Sequence, residues 1–373
     1  MIRVLHLFAN LNLGGAESRM MDIYRTQEGT GVVNEFVIMT DEVCYFSDEI
    51  LTSGGTIHHI PNPRHGLLSN LLGLYRLLKC APQYDVLHAH TSYYSGIAVF
   101  IAWLAGLKVR VVHARNKSTN EISFKTKVMF ALGRTLANIC ATHKFAISND
   151  AGRFLFGHKS QYDCLPNAFN FEQVQHRTNF SDSDKRRLGL PTDTLNLVCV
   201  ARFSPVKNHQ FLVELLQFIT ERNLKIAGKA VRLHLIGDGE LRNEIERKVS
   251  ANGLQGKVRF WGKRNDIADI LGMFDVALMT SFNEGLGVFA LEAQAAGLPC
   301  VLSTGLPEEA DIGLGMCQFI DLKRPLSDWQ VAIEKAANIP VLPKHRIDNQ
   351  LKQRGYTLEQ TRSTLISAYN AHG

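Results

Sequence analysis

The chain has 373 residues, of which 45% are hydrophobic and 20% charged, with a net charge of +6. That length exceeds one ordinary core and suits two α/β domains, and the composition is that of a soluble globular protein. No apolar run reaches the ~18 residues of a membrane span, and the longest, Gly96 to Leu107, reads as a buried helix. Seven cysteines are scattered, an odd number without a C-x-x-C pair, which points to reduced thiols and a cytoplasmic setting and argues against structural zinc. The chain opens on a strand-like run, Ile2 to Ala9, without the basic region, long apolar core and cleavage site of a signal peptide.

The first strand, Arg3 to Ala9, leads into Asn12-Leu13-Gly14-Gly15-Ala16-Glu17 and a helix. This is not G-x-G-x-x-G, so no dinucleotide fingerprint is assigned, but a glycine turn at a helix N-terminus suits an anion. Asn34 to Thr40 and Thr56 to Ile60 read as strands, and Leu67 to Leu78 has the leucine spacing of a helix. In Asp85-Val86-Leu87-His88-Ala89-His90 the two histidines share one face of a strand. They amount to half a metal site, but no cysteine or carboxylate stands at a diagnostic spacing, so no metal is assigned. Val109 to Val112 is the next strand, ending at His113-Ala114-Arg115-Asn116; a helix from Lys125 to Ala141 and a strand from Lys144 to Ser148 follow.

Charge is concentrated in this part. Ten basic residues lie between Lys108 and Lys159 (Lys108, Arg110, Arg115, Lys117, Lys125, Lys127, Arg134, Lys144, Arg153 and Lys159), opposed only by Glu121 and Asp150, a local charge of +8. Phe124, Met129, Phe130, Leu132, Phe154, Leu155 and Phe156 are interleaved with them. The pattern suits the anionic surface of a membrane; equally, the apolar residues are core and the charges a solvated face. No nucleic-acid motif accompanies the charge.

Pro166-Asn167-Ala168-Phe169-Asn170 marks a domain boundary, and Gln175 to Arg187 reads as a surface linker. The second domain opens on Leu195 to Val200, ending in Ala201-Arg202-Phe203-Ser204-Pro205-Val206-Lys207-Asn208. Arg202 and Lys207 thus lie at the C-terminal edge of the sheet, one as a planar fork and one as a point charge for a diphosphate. Leu233 to Gly239 is a strand and glycine turn containing Gly237, and Val258 to Asp266 carries Lys263 and Arg264. The run Val276 to Ser281 then enters Phe282-Asn283-Glu284-Gly285-Leu286-Gly287, a helix from Val288 to Ala296, the stop Gly297-Leu298-Pro299 and a strand, Cys300 to Ser303. Cys317 to Leu322 is a strand, Ser327 to Ala337 a helix, and Arg346 to His372 a helical tail. Glu284 stands beyond a strand's C-terminal end, where open α/β sheets bind ligands. The helix after it offers N–H groups to a phosphate. Glu292, a turn into that helix, reaches another part of the same ligand, and carboxylates beside a nucleotide usually accept from sugar hydroxyls. The local reading is a sugar nucleotide.

Glu284 and Glu292, with seven residues between them, resemble the E-x7-E motif of retaining glycosyltransferases of family 4. The flanking S-F-N-E-G-L-G…L-E-A-Q-A-A-G-L-P is similar to that family's pattern, as are Gly14-Gly15-Ala16-Glu17, D-x-x-H-x-H and A-R-F-S-P-V-K-N. Two positions depart from it: Ala168 and Ala201 stand where glycine is usual. The resemblance implies the GT-B fold, an α/β architecture of two Rossmann-like parallel-sheet domains facing across a cleft. The expected domains are 1–167 on the acceptor side, 168–345 for the nucleotide sugar, and 346–373 as a helix returning to the first domain.

The resemblance also implies roles. Arg202, Lys207 and the helix start at Leu286 and Gly287 stabilise charge on the departing diphosphate, with Gly15 on the donor phosphate. Glu292 holds the ribose, Glu284 the sugar hydroxyls, and Gly237 and Arg264 lie by the nucleotide. His113 orients the sugar; His90 and Gly14 lie on the acceptor side, with His88 structural. No metal and no cofactor beyond the nucleotide sugar, expected to be UDP-linked, is implied. The expected acceptor is a lipid-linked glycan in surface polysaccharide synthesis, at the inner membrane face. Alternatives are a nucleotide-sugar 2-epimerase or a phosphorylase of the same fold, and a non-catalytic two-domain sugar-binding protein.

Overall fold

The structure, a computed structural model, describes residues 1–12, 14–80, 83–116 and 124–371, with the backbone alone at Lys125. Leu13, Lys117, Glu121, the Lys125 side chain and His372, all used in the reading above, lie outside the described residues. The chain divides into two compact units, Met1–Phe169 with Gly355–Gly373, and Asn170–Arg354.

The first unit is built from β1 (Ile2–Phe8), α1 (Gly15–Tyr24), β2 (Val32–Ile38), α2 (Ser47–Thr52), β3 (Ile57–His59), α3 (Leu67–Lys79), β4 (Val86–Ala89), α4 (Tyr94–Leu104), β5 (Val109–Ala114), α5 (Phe124–Cys140), β6 (His143–Ala146), α6 (Asn149–Phe156) and β7 (Asp163–Cys164). Its strands pair in parallel in the order β3-β2-β1-β4-β5-β6-β7. Strands buried on both faces need apolar side chains at nearly every position, and β4 is buried at all four. The order reverses between β1 and β4, the place where doubly wound sheets open a crevice at their C-terminal edge.

In the second unit come α7 (Asp182–Arg187), β8 (Thr194–Val200), α8 (His209–Glu221), β9 (Ala230–Ile236), α9 (Arg242–Ala251), β10 (Val258–Gly262), α10 (Ile267–Ile270), β11 (Val276–Met279), α11 (Val288–Ala295), β12 (Cys300–Ser303), β13 (Cys317–Ile320), α12 (Leu326–Ala337) and α13 (Lys344–Gln353). The parallel order is β10-β9-β8-β11-β12-β13, reversing between β8 and β11. The alternating strands and helices of the sequence thus form two Rossmann-like sheets. The stretch expected to be a linker holds α7, whose Ser181 and Asp184 form a reciprocal capping box. The tail is two helices: α13 belongs to the second unit, and after Gly355 (φ +81°) α14 (Leu358–Asn370) belongs to the first. Leu365, Ala368 and Tyr369 of α14 complete the core formed by Val4, Phe8, Met20, Phe36, Val111 and Phe145.

Helices α4 and α5 cross at two glycines. A Cβ on Gly96 would lie 1.8 Å from the carbonyl oxygen of Gly133, and one on Gly133 would lie 2.1 Å from that of Tyr93. Backbone therefore packs directly on backbone, which only glycine allows. The opposite face of α5 carries an exposed stripe, Phe124, Val128, Leu132 and Ile139. Among the described residues no helix is long and apolar enough to cross a membrane.

Candidate active site

Two groups of polar residues gather at the C-terminal edges of the sheets, one at each switch point. In the second unit β8 and β11 are neighbours, so the segments that follow them lie side by side. Phe282 N–H donates to the Val206 carbonyl at 2.8 Å, and Thr280 Oγ1 donates to the Asn208 carbonyl at 3.1 Å. These bonds tie the loop after β11 to the turn after β8. The result is a direct ion pair between Lys207 Nζ and Glu284 Oε1, with both side chains mostly buried. Ser281 Oγ donates to the same carboxylate oxygen at 2.7 Å. Arg202 is exposed, and its side chain makes no hydrogen bond or ion pair among the described residues. The sequence reading put both cations on a phosphate; of the two, Lys207 is paired with Glu284 and Arg202 is uncommitted.

Gly287 caps α11 in the left-handed conformation (φ +81°, ψ +56°), and Leu286 before it is buried. A side chain there would be strained and its Cβ would lie 2.6 Å from Leu306. In the first turn of α11 the Ala290 N–H bonds the Gly287 carbonyl at 2.9 Å, and the N–H groups before it have no intrahelical acceptor. Gln294 pins the helix from behind: its Nε2 donates to the Ala310 carbonyl at 2.7 Å and its Oε1 accepts from Ile312 N–H at 3.0 Å. Of the eight residues of α11 only Val288 and Glu292 are not buried, one turn apart on one face. Glu292 therefore stands on the single open side of the helix. Gly237 (φ +132°), after β9, passes so close to the Ala201 carbonyl that a Cβ would lie 2.1 Å from it. Arg264 is less available than the sequence implied: both its Nε and Nη2 bind Asp266, and it lies 5.2 Å from the ring of Trp261.

The first unit brings together four histidines on one sheet face. His6 on β1 pairs in register with His88 on β4, and His90 follows two residues on. His113 lies within β5, its ring stacked on His88 at 5.5 Å. Arg115 follows β5 and is buried; its Nε donates to His90 Nδ1 at 3.0 Å and its Nη1 to Asn167 Oδ1 at 2.6 Å. Because Arg115 can only donate, His90 carries its proton on Nε2 and donates to His6 Nδ1 at 3.2 Å. His6 then donates from Nε2 to Asn34 Oδ1 at 2.8 Å. The tautomers follow from this network. His88 Nδ1 meets the Tyr369 hydroxyl at 2.7 Å, while among the described residues His88 Nε2 and both ring nitrogens of His113 have no partner in hydrogen-bond geometry, although the Leu165 backbone lies against His113. Burial holds His6 down to about 4 and lowers His88, His90 and His113 well below the usual imidazole value. Gly14 caps α1, with Gly15 its first residue, and the Glu17 carboxylate folds back to where a Gly14 Cβ would point.

Ligand atoms of His6, His88 and His90 lie within 4.8 Å of one another, so the sequence's half-site gains a third imidazole. The donor set does not fit a cation. Both nitrogens of His6 and of His90 are taken up in the hydrogen-bonded chain, and a guanidinium touches His90. A dication there would be repelled by that charge.

His6, Asn34, Arg115, Ser281, His209 and Tyr369 were missed as site neighbours. Arg115 was read only as one more charge of the basic segment, yet it is 8% exposed. His209 stacks on Phe203 at 4.1 Å, with neither ring nitrogen partnered among the described residues. The alternation Val4-His6-Phe8 was the available signal for His6. The segment's other residues divide: Phe130, Leu155 and Phe156 are core, while Phe124 and Leu132 are exposed. Arg134 donates to the carbonyls of Phe154 and Leu155.

Comparison with known proteins assigns the family. The family model described as Glycosyl transferases group 1 matches residues 194–317, and that described as Glycosyl transferase 4-like domain matches residues 14–163. The putative glycosyltransferase EpsF of Bacillus subtilis (strain 168) is 34% identical over 374 residues, covering 99% of this chain and 96% of EpsF. The UDP-Gal:alpha-D-GlcNAc-diphosphoundecaprenol alpha-1,3-galactosyltransferase of Escherichia coli is 30% identical over 244 residues, 63% of this chain and 62% of its own. Anabaena Alr3699/HepE, crystallised with UDP, has the same fold at a TM-score of 0.71 and 18% identity, over 98% of this chain and 95% of its own. The chain belongs to the group 1 glycosyl transferases and is a glycosyltransferase of the GT-B fold.

Proposed function

We propose that the chain moves a hexose-type sugar from a UDP-sugar to a lipid-linked glycan acceptor in the assembly of a surface polysaccharide, with retention at the anomeric carbon. The observation that carries this is the meeting at one switch point of an uncommitted guanidinium, a lysine–glutamate pair and the open N-terminus of a helix. Cleavage of the bond between sugar and diphosphate builds negative charge on the phosphate. Arg202, Lys207 and the amides at Leu286 and Gly287 stabilise that charge where it grows. A bound diphosphate replaces Glu284 as the partner of Lys207, and Glu284 is then free to accept from sugar hydroxyls. Glu292 accepts from the ribose, and the nucleotide lies by Gly237 and Arg264. Fixed cations do here what a divalent ion does elsewhere. In the first unit Gly15 serves the donor phosphate, and Gly14 and His90 the acceptor. His113 orients the sugar, a role that would satisfy a ring nitrogen that has no partner in hydrogen-bond geometry among the described residues.

The donor and acceptor classes rest on the Escherichia coli relative, whose name specifies UDP-Gal and a diphosphoundecaprenol-linked acceptor. Contact of the first unit with the inner face of the cell membrane is part of the same proposal. It is supported by the α5 stripe and by exposed Trp103 and Leu104 on α4, with Lys108 and Lys127 beside them in sequence.

The test is release of nucleoside diphosphate from a panel of UDP- and GDP-sugars, with and without membrane extract, for the wild type and Glu284→Ala. Extract-dependent release from one donor, abolished in the variant, is expected. Acceptor-independent formation of an altered free nucleotide sugar would establish an epimerase instead. A folded protein that binds UDP and releases none from any donor would be a binding protein.

A further inference from the structure

Arg115 is a buried charge that forms no ion pair among the described residues. The side chain is 8% exposed. Its two hydrogen bonds go to His90 Nδ1 and Asn167 Oδ1, both neutral acceptors. Among the described residues it forms no ion pair, and Nη2 makes no hydrogen bond. Burial lowers the guanidinium to about 10, so it is still charged at neutral pH. The imidazoles around it are held neutral by their own burial. The acid that bears on it is Glu17, whose carboxyl is itself raised by burial. An ionised group taken out of water without an ionised partner loses more than neutral hydrogen bonds return. Such a group is retained where something anionic comes to meet it.

The surroundings say where that anion would sit. β1, β4 and β5 are consecutive neighbours, so the segments after them lie side by side at the switch point of the first sheet. After β1 comes α1, whose first intrahelical bond is Ser18 N–H to the Gly14 carbonyl. The amides of Gly15 and Ala16 therefore have no intrahelical acceptor at the positive end of a helix, while that of Glu17 donates to its own carboxylate. Glu17 folds its carboxylate back over that end, occupying the place beside Gly14. The arrangement is a buried fork and a helix N-terminus, covered by an internal carboxylate.

We propose that Arg115 and Asn167, beside the start of α1 whose Gly15 serves the donor, form an oxyanion site in the first unit that receives a phosphate or diphosphate group of the acceptor, with Glu17 as the internal group it displaces. The inference rests on the glycosyl-transfer reading for the word acceptor; the anion site itself does not depend on it. It adds a second phosphate-binding position to the cradle at Arg202 and Lys207. A sugar linked through diphosphate is thereby favoured over the same sugar on a neutral carrier.

Phosphate oxygens at this site come from either of two sources, the donor or the acceptor, and the assay separates them. The full chain, saturated with UDP, is titrated calorimetrically with inorganic pyrophosphate and with a short alkyl diphosphate. Wild type is expected to bind both while UDP stays bound. Arg115→Gln should weaken this binding about 10–100-fold, the range of one charged hydrogen-bonding group. Glu17→Gln should tighten it several-fold, and neither variant should move the Kd for UDP. Pyrophosphate that binds only in competition with UDP, or an Arg115→Gln variant with a changed UDP affinity, assigns Arg115 to the donor and overturns the proposal. Equal affinity in wild type and Arg115→Gln also overturns it. Where Arg115→Gln does not fold, Arg115→Lys and Glu17→Gln decide: unchanged binding in Glu17→Gln is the refuting result. A chain that fails to bind UDP defeats the transferase reading, and its titration without UDP still reports on Arg115.

Discussion

Lys207 has two anions to choose between, and a double-mutant cycle measures the choice. Lys207→Met and Glu284→Gln, singly and together, remove one partner or both from a pair that is 23% and 13% exposed. Two unit charges at contact attract by ~1 kcal/mol in water and ~4 kcal/mol near a protein surface. Desolvation and the ordering of a long side chain take back part of this. Ser281 continues to satisfy one Glu284 oxygen in the Lys207 variant. A coupling energy of about 1–3 kcal/mol is therefore expected in the UDP-free protein. The assay is urea unfolding by fluorescence in a Trp103→Phe background, where Trp261 and Trp329 report on the second unit alone. Saturating UDP should reduce the coupling below about 0.5 kcal/mol as Lys207 turns to the diphosphate. Lys207→Met alone should weaken UDP by about 10–100-fold. A coupling that UDP leaves unchanged, together with an unaltered UDP Kd in Lys207→Met, would refute the phosphate role and make Lys207 a strut for Glu284.

Three other outcomes follow from the first unit. Gly133→Ala places a Cβ 2.1 Å from a backbone oxygen that has no flexible end to yield, so the unit should lose about 3 kcal/mol, read from Trp103 fluorescence; an unchanged midpoint would mean that α4 and α5 do not cross there. Acid should destabilise the unit. His6 is held neutral down to about 4, whereas the unfolded chain takes up its proton below 6.5, so stability is full above 6.5 and falls as pH drops toward 4, by about 3 kcal/mol for His6 alone. His88, His90 and His113 act in the same direction, and a urea midpoint that is flat between pH 7 and 4.5 would contradict the buried network. Tyr369→Phe leaves His88 Nδ1 without its hydroxyl and should cost about 1–2 kcal/mol in melting experiments, with UDP affinity unaltered as the check that the effect is local.

What could be read from the chain depended on how local the determinant was. The glycine turn after Met279, the stop at Gly297-Leu298-Pro299 and the helix between them are set by neighbours in sequence, and each formed within a residue or two of its expected place. Ser181-x-x-Asp184 was equally local and was passed over because its surroundings are polar. The histidine network was not legible, because period-two patterning says which face a residue takes but not which strands will be neighbours. His6 meets His90 across 84 residues and His88 meets Tyr369 across 281. Charge misled in the same way: Arg115 and Lys108 look alike in a sequence, and only the fold buries one and exposes the other.

Helix α14 ties the first sheet to the timing of synthesis. Its Leu365, Ala368 and Tyr369 belong to the core of a unit whose other residues end at Phe169. At ~5–20 residues per second the ribosome needs about 10–40 s to make the intervening segment. Through that interval the face of β1, β4 and β5 has the cover of α1 and α2 but lacks that of α14, and His88 waits for its hydroxyl. The second unit is all made before the first can close. A nascent chain of this protein therefore carries a sheet with an unfinished core for longer than it takes to make either unit alone, and slower translation of residues 170–354 prolongs the exposure of a part of the molecule already synthesised.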